Sequence, residues 1–120
     1  MTTYTILHNP RCSKSRAALE LLQNHEVALK VIHYLKTPLS APQLKELIAK
    51  IGINVRDCIR TQEAPYREYN LDDETLSDDD LIQALHTHPI LLQRPVIFTK
   101  THAVIGRPTE NVLTLLQTPS

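Results

Sequence analysis

A chain of 120 residues has the size of one domain and can bury a core without disulfide or metal staples. Thirteen Lys and Arg balance thirteen Asp and Glu, which argues against the broad basic face of a nucleic-acid binder and makes any attraction for anions local. The start, MTTYTILHNP, lacks a basic stretch leading into a long apolar one, and no apolar run has membrane-spanning length. A cytoplasmic protein is therefore expected, with Cys12 and Cys58 as thiols rather than a bridge.

Thr3 to His8 (TYTILH) is rich in β-branched and aromatic residues and stops at Asn9-Pro10, which predicts a buried strand. From about Ser13 to Gln23, Ala17, Ala18, Leu21 and Leu22 recur at helical spacing, with Asn24 as a left-handed stop. Val27 to Leu35 (VALKVIHYL) predicts a second strand, and strand, helix and strand make a βαβ unit with parallel neighbours. Ser40 before Ala41-Pro42-Gln43 predicts a capped helix with Leu44, Leu47 and Ile48 inward. A short helix is expected around Val55 to Ile59. Ser77 before three aspartates predicts another helix start, with Leu81, Ile82 and Leu85 buried. Tyr66 and Tyr69 are expected to pack within this region. Val96 to Phe98 and Ala103 to Ile105 flank a polar TKTH and predict an antiparallel hairpin. A closing helix with Pro108 at its first position is expected to end near Thr118-Pro119. The order βαβ, a helical insertion at about residues 38–90, then ββα predicts an α/β protein of thioredoxin-like fold. It would be a single domain over residues 1–120 with a mixed four-stranded sheet.

The stretch HNPRCSKSR carries the chemistry. A free thiol titrates at about 8.5, and the thiolate is the nucleophile. Cys12 at the start of a helix would meet unpaired N–H groups and the positive end of the dipole, with Arg11, Lys14 and Arg16 nearby in sequence. The same N–H groups can hold a tetrahedral oxyanion. His8 and the hydroxyls of Ser13 and Ser15 can add charge or hydrogen bonds. A lone cysteine also packs as a small buried hydrophobe, so on local grounds both readings stand. For Cys58, in VRDCIR, the packed thiol is the expectation. A Cys-x-x-Cys pair would need cysteine where Ser15 stands, and a phosphatase-type loop would need arginine where Ala18 stands. A single-cysteine site must take its second thiol from elsewhere.

HNPRCSKSR, INVRDCIR, HPILLQRPVIFT and IGRPTENVL together resemble the glutaredoxin-coupled arsenate reductase family over most of the chain. The resemblance implies that Cys12 attacks arsenic and that Arg60, Arg94 and Arg107 surround the oxyanion, with His8 and Ser15 lowering the thiol pKa. It also implies a cis Pro95, glutathione as co-substrate, glutaredoxin as partner, and no metal or tightly bound cofactor. Planar guanidinium groups suit a tetrahedral, multiply charged anion. Ser13 and Lys14 stand where the better-known members carry Gly and Thr, a pattern similar to that of the arsenate-reductase-like relatives.

Two other readings stand beside this one. A regulator of the same fold, similar to the Spx-type factors that bind RNA polymerase, commonly uses Cys-x-x-Cys, which Ser15 interrupts. A glutathione-dependent oxidoreductase with a different substrate would need the thiolate but not three arginines. His86-x-His88 is a poor metal pair, because residues two apart on a helix face different ways. The acidic residues Asp72-Asp73-Glu74 and Asp78 to Asp80 lack the calcium-loop pattern and its central glycine and are expected as a solvated turn and a helix start.

Overall fold

The computed structural model describes residues 2–117. They form two compact units. One holds the chain up to Thr37 together with Arg94 onward, and the other is Pro38–Gln93.

The first unit is built on a four-stranded mixed sheet. Strand β1 (Thr3–Leu7) leads through helix α1 (Ser13–Asn24) into β2 (Ala28–Ile32), which lies parallel to β1 with Leu7 opposite Ile32. On its other side β1 pairs antiparallel with β3 (Val96–Phe98), which pairs antiparallel with β4 (Ala103–Ile105). The order β2-β1-β3-β4 with helix α5 (Glu110–Gln117) closing the chain is the expected thioredoxin-like arrangement. Tyr4, Thr5, Ile6 and Leu7 are all buried, as befits a central strand. Tyr4, Ile6 and Ile97 from the sheet pack with Ala18 and Leu22 of α1 and Val112 and Leu115 of α5.

Details differ from the sequence expectation. The inward face of α1 runs Ser15, Ala18, Leu22, and this helical row leaves Ala17 exposed. Asn24 is still helical, and the left-handed residue is Glu26, at φ 54°. Strand β2 is shorter than Val27–Leu35 because the five-residue β1 offers no further partner. Beyond it, Lys36 and Thr37 donate to the His33 carbonyl in a turn. Pro108 precedes α5 instead of opening it, and its carbonyl accepts from Asn111 N–H in a tighter turn. The expected end at Thr118-Pro119 lies outside the described residues. The Arg94-Pro95 and Arg107-Pro108 peptide bonds are both cis.

The second unit is helical. Helix α2 (Ala41–Ile51) starts in a capping box in which Ser40 and Gln43 satisfy each other's backbone N–H, and it ends at Gly52, at φ 80°. A 3₁₀ turn spans Val55–Cys58. Helix α3 (Ala64–Glu68) buries no residue, so no apolar stripe foretold it. Helix α4 (Asp78–Thr87) has a second capping box, Ser77 with Asp80, and packs on α2. Leu44, Leu47 and Ile48 of α2 and Leu81, Ile82 and Leu85 of α4 are buried as anticipated. After a 3₁₀ turn, Pro89–Leu91, the chain runs beside residues 58–60: Ile59 bridges Leu92, and Gln93 N–H donates to the Cys58 carbonyl. Tyr66 is half-buried, but Tyr69, the residue that ends α3, is exposed and lies against the His88 ring, centroids 4.8 Å apart.

Candidate active site

Leu7, Val96 and Ile105 lie side by side across β1, β3 and β4. Whatever follows β1, precedes β3 or follows β4 therefore emerges at one end of the sheet. Cys12 comes from the first of these segments, Arg94 from the second and Arg107 from the third.

The segment after β1 is tightly specified. His8 continues the ladder, its N–H donating to the Ile32 carbonyl. Asn9-Pro10-Arg11-Cys12 forms a turn in which Cys12 N–H donates to the Asn9 carbonyl at 3.0 Å. Proline at the second position suits such a turn. Cys12 is the N-cap of α1, with extended φ −94° and ψ 121°, and its carbonyl accepts from Arg16 N–H. The sulfur thus occupies the place where serine or aspartate usually stands. It makes no capping bond of the kind seen for oxygen caps, yet the N–H groups of Lys14 and Ser15 favour its ionised form.

Cys12 is 8% exposed. Burial pushes its pKa up, but the Ser15 N–H, the Arg94 guanidinium and the Lys14 N–H together outweigh burial and bring it down to about 7. A large share of the sulfur is therefore thiolate at neutral pH. Arg107 Nη2 donates to Cys12 Sγ at 3.6 Å, and Arg107 Nε donates to the Arg94 carbonyl at 2.6 Å. Two guanidinium groups converge on one sulfur. Arg94 Nε and Nη1 are buried and have no hydrogen-bond partner among the described residues. Burial works against the Arg94 charge, while Cys12 and the Tyr34 hydroxyl favour it.

The remaining anticipated residues fall into place differently. Ser15 is fully buried, and its hydroxyl meets His8 Nδ1 at 2.7 Å and accepts from Asn9 N–H at 3.0 Å. Ser15 therefore acts on the sulfur through its main chain, while its side chain ties the loop to β1. Burial, the neighbouring His33 ring and Arg16 lower the His8 pKa, which keeps the imidazole neutral at pH 7. Arg16 Nη1 donates to the Pro10 carbonyl, and Arg11, Ser13 and Lys14 are exposed. Arg60 belongs to the second unit. Its N–H donates to the Leu91 carbonyl at 2.7 Å, and its Nε lies 3.3 Å from Glu63 Oε1.

Asn9 and Tyr34 were not singled out as site residues from the sequence. Asparagine ahead of proline is a recognisable turn signal. Tyr34 carries no local signal, since only the fold brings it to Arg94. Cys58 is fully buried, and burial followed by Asp57 pushes its pKa up to about 11, so it is a packed thiol. His86 Nδ1 lies 2.8 Å from the Leu39 carbonyl while His88 meets Tyr69, so the two histidines have separate partners. Among the described residues, no three His, Cys, Asp or Glu side chains are grouped to hold a metal ion. No helix among them is long and apolar enough to cross a membrane.

A half-ionised thiol beside two guanidinium groups can attack an electrophile borne by an oxyanion. The chain is similar to known proteins over most of its length. An arsenate reductase of Neisseria meningitidis serogroup A is 42% identical over 117 residues, 97% of this chain and 100% of that protein. The uncharacterized protein YfgD of Escherichia coli K12 is 45% identical over 112 residues, covering 92% and 94% of the two chains. The solved structure of an arsenate reductase from Vibrio cholerae matches with a TM-score of 0.91 at 46% identity, covering 94% of this chain and 97% of that one. The ArsC family model matches residues 7–115, so the protein is a member of the ArsC family.

Proposed function

We propose that the protein is an arsenate reductase that depends on glutathione and glutaredoxin. The observation that carries this reading is the pairing of a Cys12 thiol of pKa about 7 with the Arg94 and Arg107 guanidinium groups, Arg94 Nε and Nη1 being buried without a hydrogen-bond partner among the described residues. Arsenate is a tetrahedral dianion near neutral pH, and bidentate guanidinium donors match its oxygens. The Cys12 thiolate attacks arsenic and displaces one oxygen, which leaves as water after taking up protons, to give a covalent cysteine–arsenate adduct.

Glutathione then reacts at the arsenic of that adduct, again releasing water. Glutaredoxin attacks the glutathione sulfur, so the two external sulfurs end as a disulfide. The electron pair they surrender takes arsenic from the +5 to the +3 state, and water releases arsenite and the Cys12 thiolate. In this scheme Arg94 and Arg107 neutralise the oxyanion, and Arg60 is assigned to it by family resemblance. His8 and Ser15 hold the thiol loop. The position that a second cysteine would occupy, Ser15, is given over to that loop.

NADPH oxidation in a coupled assay with arsenate, glutathione, glutaredoxin and glutathione reductase tests the proposal. Arsenate-dependent turnover is expected, abolished in Cys12→Ser and lowered about 10²-fold or more in Arg94→Ala and Arg107→Ala. Arg60→Ala is expected to raise KM for arsenate. Absence of arsenate-dependent turnover with several glutaredoxins would overturn the proposal and leave a thiol oxidoreductase with another substrate.

A further inference from the structure

Asn9 is 6% exposed and makes three hydrogen bonds, each to a different part of the thiol loop. Its N–H donates to Ser15 Oγ, its carbonyl accepts from Cys12 N–H, and its side-chain Oδ1 accepts from Arg11 N–H, all at 3.0 Å. The last contact fixes the orientation of the carboxamide, because only its oxygen can accept.

The backbone donors around the helix start can then be accounted for one by one. Asn9, Arg11 and Cys12 have their N–H groups committed within the loop, and Arg16 N–H closes the first turn on Cys12. Ser13, Lys14 and Ser15 N–H remain, and of these three Lys14 and Ser15 N–H favour the ionised sulfur. The direction of the Cys12 Cα–Cβ bond, and so the place of Sγ relative to those donors, depends on the turn that Asn9 holds at both ends.

We propose that Asn9 is a positioning residue for the nucleophile. Its carboxamide oxygen, acting through Arg11 N–H, fixes the turn that aims Cys12 Sγ at the Lys14 and Ser15 N–H groups and at Arg94 and Arg107. This deepens the reading of Cys12 as nucleophile and rests on it. Without that oxygen, Arg11 N–H loses its partner, the turn loosens, and the sulfur moves away from the donors that keep it ionised. Serine at this position offers a hydroxyl that accepts from the N–H two residues on, as in an ST-turn. Glutamine keeps the amide but places it one carbon too far.

The test is the pH dependence of Cys12 alkylation by iodoacetamide, read by mass spectrometry on the folded full chain, with circular dichroism to verify folding. Asn9→Ala is expected to move the midpoint upward and to slow alkylation at pH 7 by about 3–10-fold, with the plateau at high pH unchanged. Asn9→Ser is expected to recover most of the difference, and Asn9→Gln to behave like the alanine variant. A folded Asn9→Ala with the parent midpoint would overturn the proposal. Should that variant fail to fold, Asn9→Gln with the parent midpoint would do the same. Arsenate and glutathione are absent from this experiment, so loss of the arsenate reading leaves it intact. Conversely, arsenate turnover alongside an unmoved midpoint would sink the role of Asn9 alone.

Discussion

Arg107 and Cys12 stand 95 positions apart in the chain, yet Nη2 of the arginine lies 3.6 Å from the sulfur. The hairpin explains the approach. Val96 pairs with Ile105, and Arg94 and Arg107 each lie two residues outside that pair, so both leave the sheet at the end where β1 delivers the thiol loop. The loop supplies N–H groups and the hairpin supplies charge.

The thiol chemistry gives the first prediction. Alkylation of native Cys12 should be half-maximal near pH 7. Arg94→Gln removes a charge that favours the thiolate, so the midpoint should rise and the rate at pH 6.5 should fall about 3–10-fold. Cys58 should stay unlabelled at pH 8 in the native protein and react after unfolding in urea.

The two thiols also make stability depend on pH with opposite signs. Cys12 has a folded pKa of about 7, below that of a free thiol at about 8.5, so its stabilisation is full above the free-thiol value and is lost as pH falls through 7. Cys58 has a folded pKa of about 11, above its unfolded value, so stability declines as pH rises from 9 towards 11. Urea midpoints measured across this range should rise between pH 7 and 9 and then fall. Cys12→Ser should flatten the rising limb and Cys58→Ala the falling one.

Gly106 is closely surrounded. A Cβ there would come within 2.9 Å of Pro95 Cγ, 3.2 Å of Ile97 Cδ1 and 3.4 Å of Val112 Cγ2. Pro95 is a ring and cannot swing aside, so Gly106→Ala should cost about 1–3 kcal/mol by overpacking, measured by urea denaturation. The displaced proline adjoins Arg94, so KM for arsenate should rise as well.

Helix α4 begins with three aspartates and depends on its cap. Ser77 Oγ accepts from Asp80 N–H at 3.1 Å, and Asp80 returns a bond to Ser77 N–H at 3.0 Å. Ser77→Ala should destabilise the protein by about 1 kcal/mol, and Ser77→Thr should retain most of that. Alkylation of Cys12 should be unchanged in both.

The elements that carry a periodic signal were legible in the sequence. The hairpin strands Val96–Phe98 and Ala103–Ile105 and the Ser40 and Ser77 caps stand where composition placed them. Helix α3 was not legible, since a five-residue helix that buries nothing leaves no pattern. Cys12 could be singled out from its neighbours, but local spacing did not point to the charges acting on it, and only the family resemblance named Arg94 and Arg107: Arg11, Lys14 and Arg16, adjacent in sequence, point to solvent or to Pro10, while Arg94 and Arg107 arrive through strand pairing. The part played by the Ser15 hydroxyl was hidden for the same reason, because Asn9 and His8 claim it only once the loop is folded.

The bond from Arg107 Nε to the Arg94 carbonyl means that one arginine braces the main chain carrying the other. Removing Arg107 deletes its own charge and also frees the segment that presents Arg94. The two positions are therefore thermodynamically coupled, and in a double-mutant cycle the combined loss of anion affinity should be smaller than the sum of the single losses. A lysine at position 107 would keep the charge but lose the brace, and so would recover only part of what alanine removes.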